Sequence, residues 1–296
     1  RMAALLRFHL WPFRVIWVVL ALVASTSVTD AFDGRSTTAA VVGSVAGWAA
    51  WGAVLVALLV PRMVGLTVVR VVAPWVAVGA VTAVGAGSVS TVLDGATVVA
   101  AGLAVVAALA PSTADALVDG SSYGPERRLA LRAPLAIAVV AVVTWVVVAL
   151  SAFGALSLLA GGQWVAGIAG TVVGAAVVWF GSRSIHQLSK RWLVLVPTGL
   201  VVHDPLVMPE PQLFLRQTMA RLGPAEAEVA DAVVTEDLSA GASGLLVSIT
   251  LTEPVELLVR DGSRGTTLRP VDRVLVCPVL PGVLLDEARG RRLPVG

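Results

Sequence analysis

Asp30 and Asp33, followed by Gly34, have the spacing at which two carboxylates on one turn can share a divalent cation. Gly241-Ala242-Ser243-Gly244 surrounds a hydroxyl with small residues, the setting of an accessible nucleophile. Three histidines, His9, His186 and His203, are the remaining candidates for metal or proton chemistry, but none has a second histidine or an acid at ligand spacing. Cys277 is the single cysteine, which excludes an intrachain disulfide and a cysteine metal cluster. Its strand-like setting, 274–279, marks it as a packing thiol. No glycine-rich loop ends in Gly-Lys-Ser/Thr, so the phosphate-binding loop of ATPases is missing. These residues lead us to expect no catalytic group, no cofactor and no metal.

The elements that must position them are apolar. Hydrophobic residues make up 57% of the chain and charged residues 14%, where a soluble domain has roughly a quarter; the mean hydropathy is +0.89. No charge interrupts 36–61, 71–93 or 133–182. Six runs of about the twenty residues needed to cross a bilayer are predicted, at 11–28, 38–60, 68–87, 90–110, 133–159 and 164–181. A polar loop at 111–132 follows the fourth.

Eleven of the twelve Lys/Arg residues up to position 191 fall before or at the start of the first run, or after the second, fourth and sixth. They are Arg1, Arg7, Arg14, Arg62, Arg70, Arg127, Arg128, Arg132, Arg183, Lys190 and Arg191; only Arg35 has the opposite parity. Cytoplasmic loops hold excess Lys/Arg, so both ends are expected in the cytoplasm, with the first run an uncleaved signal anchor. The net charge of +2 is thus chiefly a topology code. No basic stripe with interleaved aromatics is present, and a nucleic-acid partner is not expected.

Asp30-x-x-Asp33-Gly34 resembles the opening of the CDP-alcohol phosphotransferase signature, but the Ala-Arg pair and two further aspartates that complete it are missing. The charge pattern also puts Asp30 and Asp33 outside. The segment around Ser243 resembles the serine motif of rhomboid proteases, whose serine lies inside the bundle with a histidine from another span. Here it lies after the spans, and no span contains histidine. Both are read as loops.

Within the spans, Ser25, Thr82, Ser151 and Thr171 can bond to carbonyls of their own helices. Arg70 and Asp94 are expected at span ends, which disfavours proton- or ion-coupled transport. Trp11, Trp164, Trp179 and Trp192 lie near span ends, as interfacial anchors do. Trp48, Trp51 and Trp145 fall mid-span and are expected to face the bundle, as helix packing or as the wall of a cavity. Gly43-x-x-x-Gly47 and Gly170-x-x-x-Gly174 permit close helix contact.

After Lys190 the pattern changes. Residues 191–196 and 200–203 read as strands joined by Pro197-Thr198-Gly199. A short helix is predicted at 212–222, a loop at 224–243, strands at 245–251, 255–260 and 273–276, and a helix at 281–289. A hairpin directly after a span (Arg191-Trp-Leu-Val-Leu-Val-Pro-Thr-Gly-Leu-Val-Val), further strands and a closing helix resemble the bacterial pleckstrin-homology-like domains. The chain as a whole resembles actinobacterial integral membrane proteins of unknown function, a resemblance that supplies no catalytic residues to carry over. Arg289, Arg291 and Arg292 form a basic tail suited to an anionic leaflet or an acidic protein.

The expected architecture is an α-helical polytopic membrane bundle of six transmembrane helices, 1–189, with a C-terminal cytosolic α+β, mostly β domain, 190–296. The expected location is the plasma membrane, multi-pass. The expected role is a non-enzymatic, membrane-anchored interaction or regulatory module in envelope or membrane homeostasis, with the lipid bilayer and a protein bound by the cytosolic domain as partners. The alternative is a small-molecule or lipid transporter with a regulatory cytosolic domain.

Overall fold

The computed structural model describes residues 10–87, 91–226, 233–261 and 265–296. It divides into two compact units, one of 1–117 with 141–186 and the other of 118–140 with 187–296.

In the first unit α1 (Trp11–Phe32), α2 (Thr37–Leu59), α3 (Met63–Ala86) and α4 (Val92–Leu109) pack pairwise, α3 on α4, α1 on α4 and α2 on α3. A short α5 (Pro111–Asp119) leads out of them, and α6 (Leu135–Ala160) and α7 (Trp164–Ser189) form a hairpin. Apart from α5, these helices have 18 to 26 residues and are apolar enough to cross a membrane. Helix α6 shows why water is not their solvent. Val139, Val142, Val143, Leu150 and Phe153 are all exposed along it. A helix apolar on every face suits lipid, and six such candidate spans suggest a multi-pass membrane protein.

The ends follow local chemistry. Ser36 caps α2 by accepting from the Ala39 amide at 3.2 Å. Pro61 stops α2, and α3 starts at Met63, earlier than the expected 68. Arg70 is therefore inside α3 rather than at its edge. Thr91 and Asp94 form a capping box at the start of α4. Gly170 and Gly174 of α7 do serve close approach: a Cβ on Gly174 would stand 3.4 Å from the Ser151 carbonyl of α6. Gly47 has open space instead, and Gly43 faces the Phe32 ring.

In the second unit, β1 (Arg127–Ala130), β2 (Trp192–Val196), β3 (Gly199–His203) and β4 (Gln212–Leu215) form one antiparallel sheet in that order. A second sheet has the order β5-β7-β8-β6, built from β5 (Met219–Pro224), β6 (Thr235–Asp237), β7 (Val247–Asp261) and β8 (Gly265–Val276), with β6 parallel to β8. Inward residues of both sheets, such as Leu193, Leu195, Ile249 and Val274, share one core with Leu284 and Ala288 of α8 (Pro281–Gly290).

Three sequence expectations need correction here. The supposed loop 111–132 contains α5 and β1, because the alternating Arg127-Arg128-Leu129-Ala130 pairs with β2. The predicted helix at 212–222 is β4, a 3-10 turn and β5; pairing to β3 and β7 overrides its weak helical spacing. Strands expected at 245–251 and 255–260 are one strand, β7, whose ladder shifts register between Thr250 and Val255. Pro254 lies in that irregularity, where a missing N–H breaks no ladder bond.

Candidate functional site

Helix α3 carries a stripe, Thr67, Val71 and Trp75, at successive four-residue steps on one face. Each member meets the α6–α7 hairpin. Thr67 Oγ1 is 2.8 Å from His186 Nδ1 of α7. Trp145 of α6 donates its indole N–H to the Val71 carbonyl at 2.9 Å, and its ring lies 5.3 Å from that of Trp75. Val71, Val148 and Ile185 bury the contact. Pro74 sits within the same turn of α3 and has no N–H for the Arg70 carbonyl. Arg70 itself is half-buried, and no carboxylate or carbonyl pairs with its side chain among the described residues. A guanidinium in an apolar helix is costly unless an anion or water meets it.

Several other polar groups of the first unit are satisfied locally. Ser25, Thr82, Ser151 and Thr171 donate to carbonyls of their own helices, as expected. Asp94 accepts from Ser27 of α1 at 2.7 Å and from the Thr91 amide at 2.7 Å, so it is buried and fully engaged in fixing α1 to α4. Trp17 and Trp51 exchange bonds: each indole N–H donates to the other's backbone carbonyl at 3.0 Å. Trp51 and Trp145 therefore contribute to packing between helices. Trp48 differs, lying 58% exposed on the outside with its ring edge-on to Trp51.

The second unit contains a fully buried ion pair. Arg191 Nε lies 2.9 and 2.8 Å from the two Asp204 oxygens, and Nη2 lies 2.6 Å from Oδ2. Both side chains are essentially inaccessible. Arg191 Nη1 also donates to the Arg132 carbonyl at 2.5 Å, and Asp204 Oδ1 accepts from the Leu206 amide at 3.1 Å. This arginine, read from sequence as a topology charge, thereby joins β2 to the segment that leads into α6. The hairpin turn held the signal. With Val196 opposite Gly199, the register runs back to Trp192 opposite His203, and the next pair outward is Arg191 and Asp204. Arg127 is likewise buried and paired with Asp119 at 2.9 Å.

Around this pair lie Arg132, Asp237 and Cys277. The Arg132 amide donates to the Cys277 carbonyl at 2.8 Å. Burial pushes the Cys277 thiol above its ordinary range; Arg132 and Arg191 offset part of the rise and Asp237 adds to it. Folding thus favours the protonated thiol, and its contribution to stability declines as pH rises past about 8.5, where the unfolded thiol ionises. Cys277 should resist maleimide at neutral pH in the folded protein and react once it is denatured. Equal rates in the two states would contradict its burial.

Of the tail arginines, Arg291 is used within the fold, donating to the Pro125 carbonyl at 2.7 Å and the Leu195 carbonyl at 3.3 Å. Arg289 pairs with Asp286 one turn back, and Arg292 is exposed in the left-handed region, φ 61°. Trp192 is not an isolated interfacial anchor. It lies in β2, stacked on His203 at 3.9 Å with the Arg128 guanidinium 4.9 Å from its ring. Ser243 is exposed in the loop before β7. His9 lies outside the described residues. Among the described residues, no group of three His, Cys, Asp or Glu side chains converges as a metal site would.

Protein-family models, curated proteins and solved structures yielded no match to this chain.

Proposed function

We propose that the chain is a plasma-membrane protein with both ends in the cytoplasm, acting without catalysis as a membrane-anchored interaction and regulatory module in envelope or membrane homeostasis. Its C-terminal unit is, in this reading, a cytoplasmic pleckstrin-homology-like domain that binds a protein partner. The source is proposed to be actinobacterial, from a composition in which twenty of the twenty-one basic residues are arginine.

One observation carries the regulatory part. The β unit takes β1 from the connection ahead of α6 and contains the first residues of α6 and the last of α7. Arg191 and Asp204 fasten that junction. A partner bound to the sheets would bind the same unit that holds the first residues of α6 and the last residues of α7. The hairpin in turn meets α3 through Trp145 and His186.

The test is copurification of the full chain from its native membrane, with and without Arg191→Ala. Loss of one specific protein while the chain stays in the membrane fraction is the expected result. Turnover of a lipid or nucleotide by the purified protein, stopped by changes at Asp30 or Ser243, would overturn the proposal.

Arg70 favours a second reading, a lipid or anion transporter with a regulatory domain, since an unpaired intramembrane charge suits a passing phosphate. The hydrogen bonds of Trp51 and Trp145 to neighbouring helices weigh against it. Lipid flipping in vesicles that is abolished by Arg70→Gln would establish it.

A further inference from the structure

We propose that the loop carrying Leu245, with Arg132 beside it, is a membrane-contacting tip of the β unit. This rests on the reading of α6 and α7 as membrane spans. Leu245 inserts at the boundary between headgroups and acyl chains, and Arg132 pairs with a lipid phosphate.

Chain continuity fixes where this tip lies. Arg132 is followed by Ala133, Pro134 and Leu135, the first residue of α6. Three residues span at most about 11 Å, so Arg132 lies within headgroup reach of the point where α6 meets the bilayer. Lys190 directly follows Ser189, the last residue of α7, and adds a second positive charge at that level. Leu245 belongs to the same corner. A Cβ on Gly244 would stand 2.9 Å from Arg132 Cδ and 3.1 Å from the Cys277 sulfur. Gly244 has φ 154°, and the absence of a side chain there lets Arg132 lie across the loop. The loop presents Leu245 at 58% exposure and Arg132 exposed next to it. An exposed leucine beside an arginine combines the apolar and basic groups that suit an anionic interface. Asp237 acts electrostatically on Cys277 at this corner, and its carboxylate accepts from the Ser239 amide at 2.8 Å.

The tail arginines occupy another place. Arg291 bonds to the carbonyl of Leu195, near the turn end of β2, about 17 Å of strand away from Lys190. The proposed leaflet contact is therefore the Arg132–Leu245 corner rather than the C-terminal tail.

Leu268 supplies an internal control. It is 61% exposed but lies about 30 Å along β8 from Cys277. The full chain, with Cys277→Ser, receives a single polarity-sensitive fluorophore at Leu245→Cys, Leu268→Cys or Val147→Cys, the last in mid-α6. Each is placed in anionic vesicles containing a quencher-bearing phospholipid. The expected result is strong quenching at 147 and 245, several-fold above that at 268. Adding Arg132→Glu should reduce quenching at 245 alone. If 147 is quenched while 245 behaves like 268, the tip proposal is lost and the spans stand. If 147 is not quenched, the membrane reading itself is lost.

Discussion

Replacing Asp204 by alanine is expected to unfold the β unit or lower its stability by about 3–5 kcal/mol, because Arg191 would keep its charge in a fully buried site without its counter-ion. The carboxylate receives three contacts from Arg191 and one from the Leu206 amide, all of which disappear together. The double replacement Arg191→Met with Asp204→Leu should recover much of the loss, since desolvation of the pair offsets much of its attraction. Recovery should be incomplete, because the Arg132 carbonyl also loses its donor. Thermal unfolding of the four proteins of this cycle in detergent measures the coupling directly. A single Asp204→Ala as stable as the parent would show that the pair is not buried as described.

Trp145→Ala should be among the more damaging changes in the first unit, at up to about 3–5 kcal/mol for removal of a large packed aromatic. Two losses combine there. The ring leaves Trp75 and the cluster of Val71, Val148 and Ile185. The Val71 carbonyl loses a donor in the same turn as Pro74, where the helix already lacks one bond. Trp145→Phe separates these effects, keeping an aromatic ring while removing the N–H, and should cost only about 0.5–1.5 kcal/mol. Cysteine pairs across α3 and α6, scored by crosslinking in vesicles, would report whether the hairpin comes away. Unchanged crosslinking in Trp145→Ala would refute the role given to the seam.

The helical half was legible because hydropathy over twenty residues is a strong signal that needs no partner. Six runs were foreseen; most ends moved by a few residues, while the sixth, α7, runs on from the expected 181 to Ser189. The shift at Met63 mattered most, since it turned Arg70 from an edge residue into an intrahelical one. The β half was legible where local turn chemistry acts, as at Pro197-Thr198-Gly199, and illegible where pairing is distant. Nothing near Gln212 or Met219 announces β3 or β7, and nothing near Arg127 announces Leu195. The arginines misled for a related reason. A topology charge and a buried ion-pair partner look alike until the acid opposite is located, and for Arg191 that acid was one register step beyond a recognised hairpin.

The pairing of β1 with β2 also constrains how the protein is made. Ala130 and Trp192 become neighbours only after the whole α6–α7 hairpin has been synthesised. If the intervening chain crossed the bilayer an odd number of times, the two strands would end in different compartments and the sheet would never close. Sheet closure therefore acts as a parity check on insertion. A chain that inserts α6 without α7 is left with β1 lacking its neighbour and Arg132 without the Arg191 side chain.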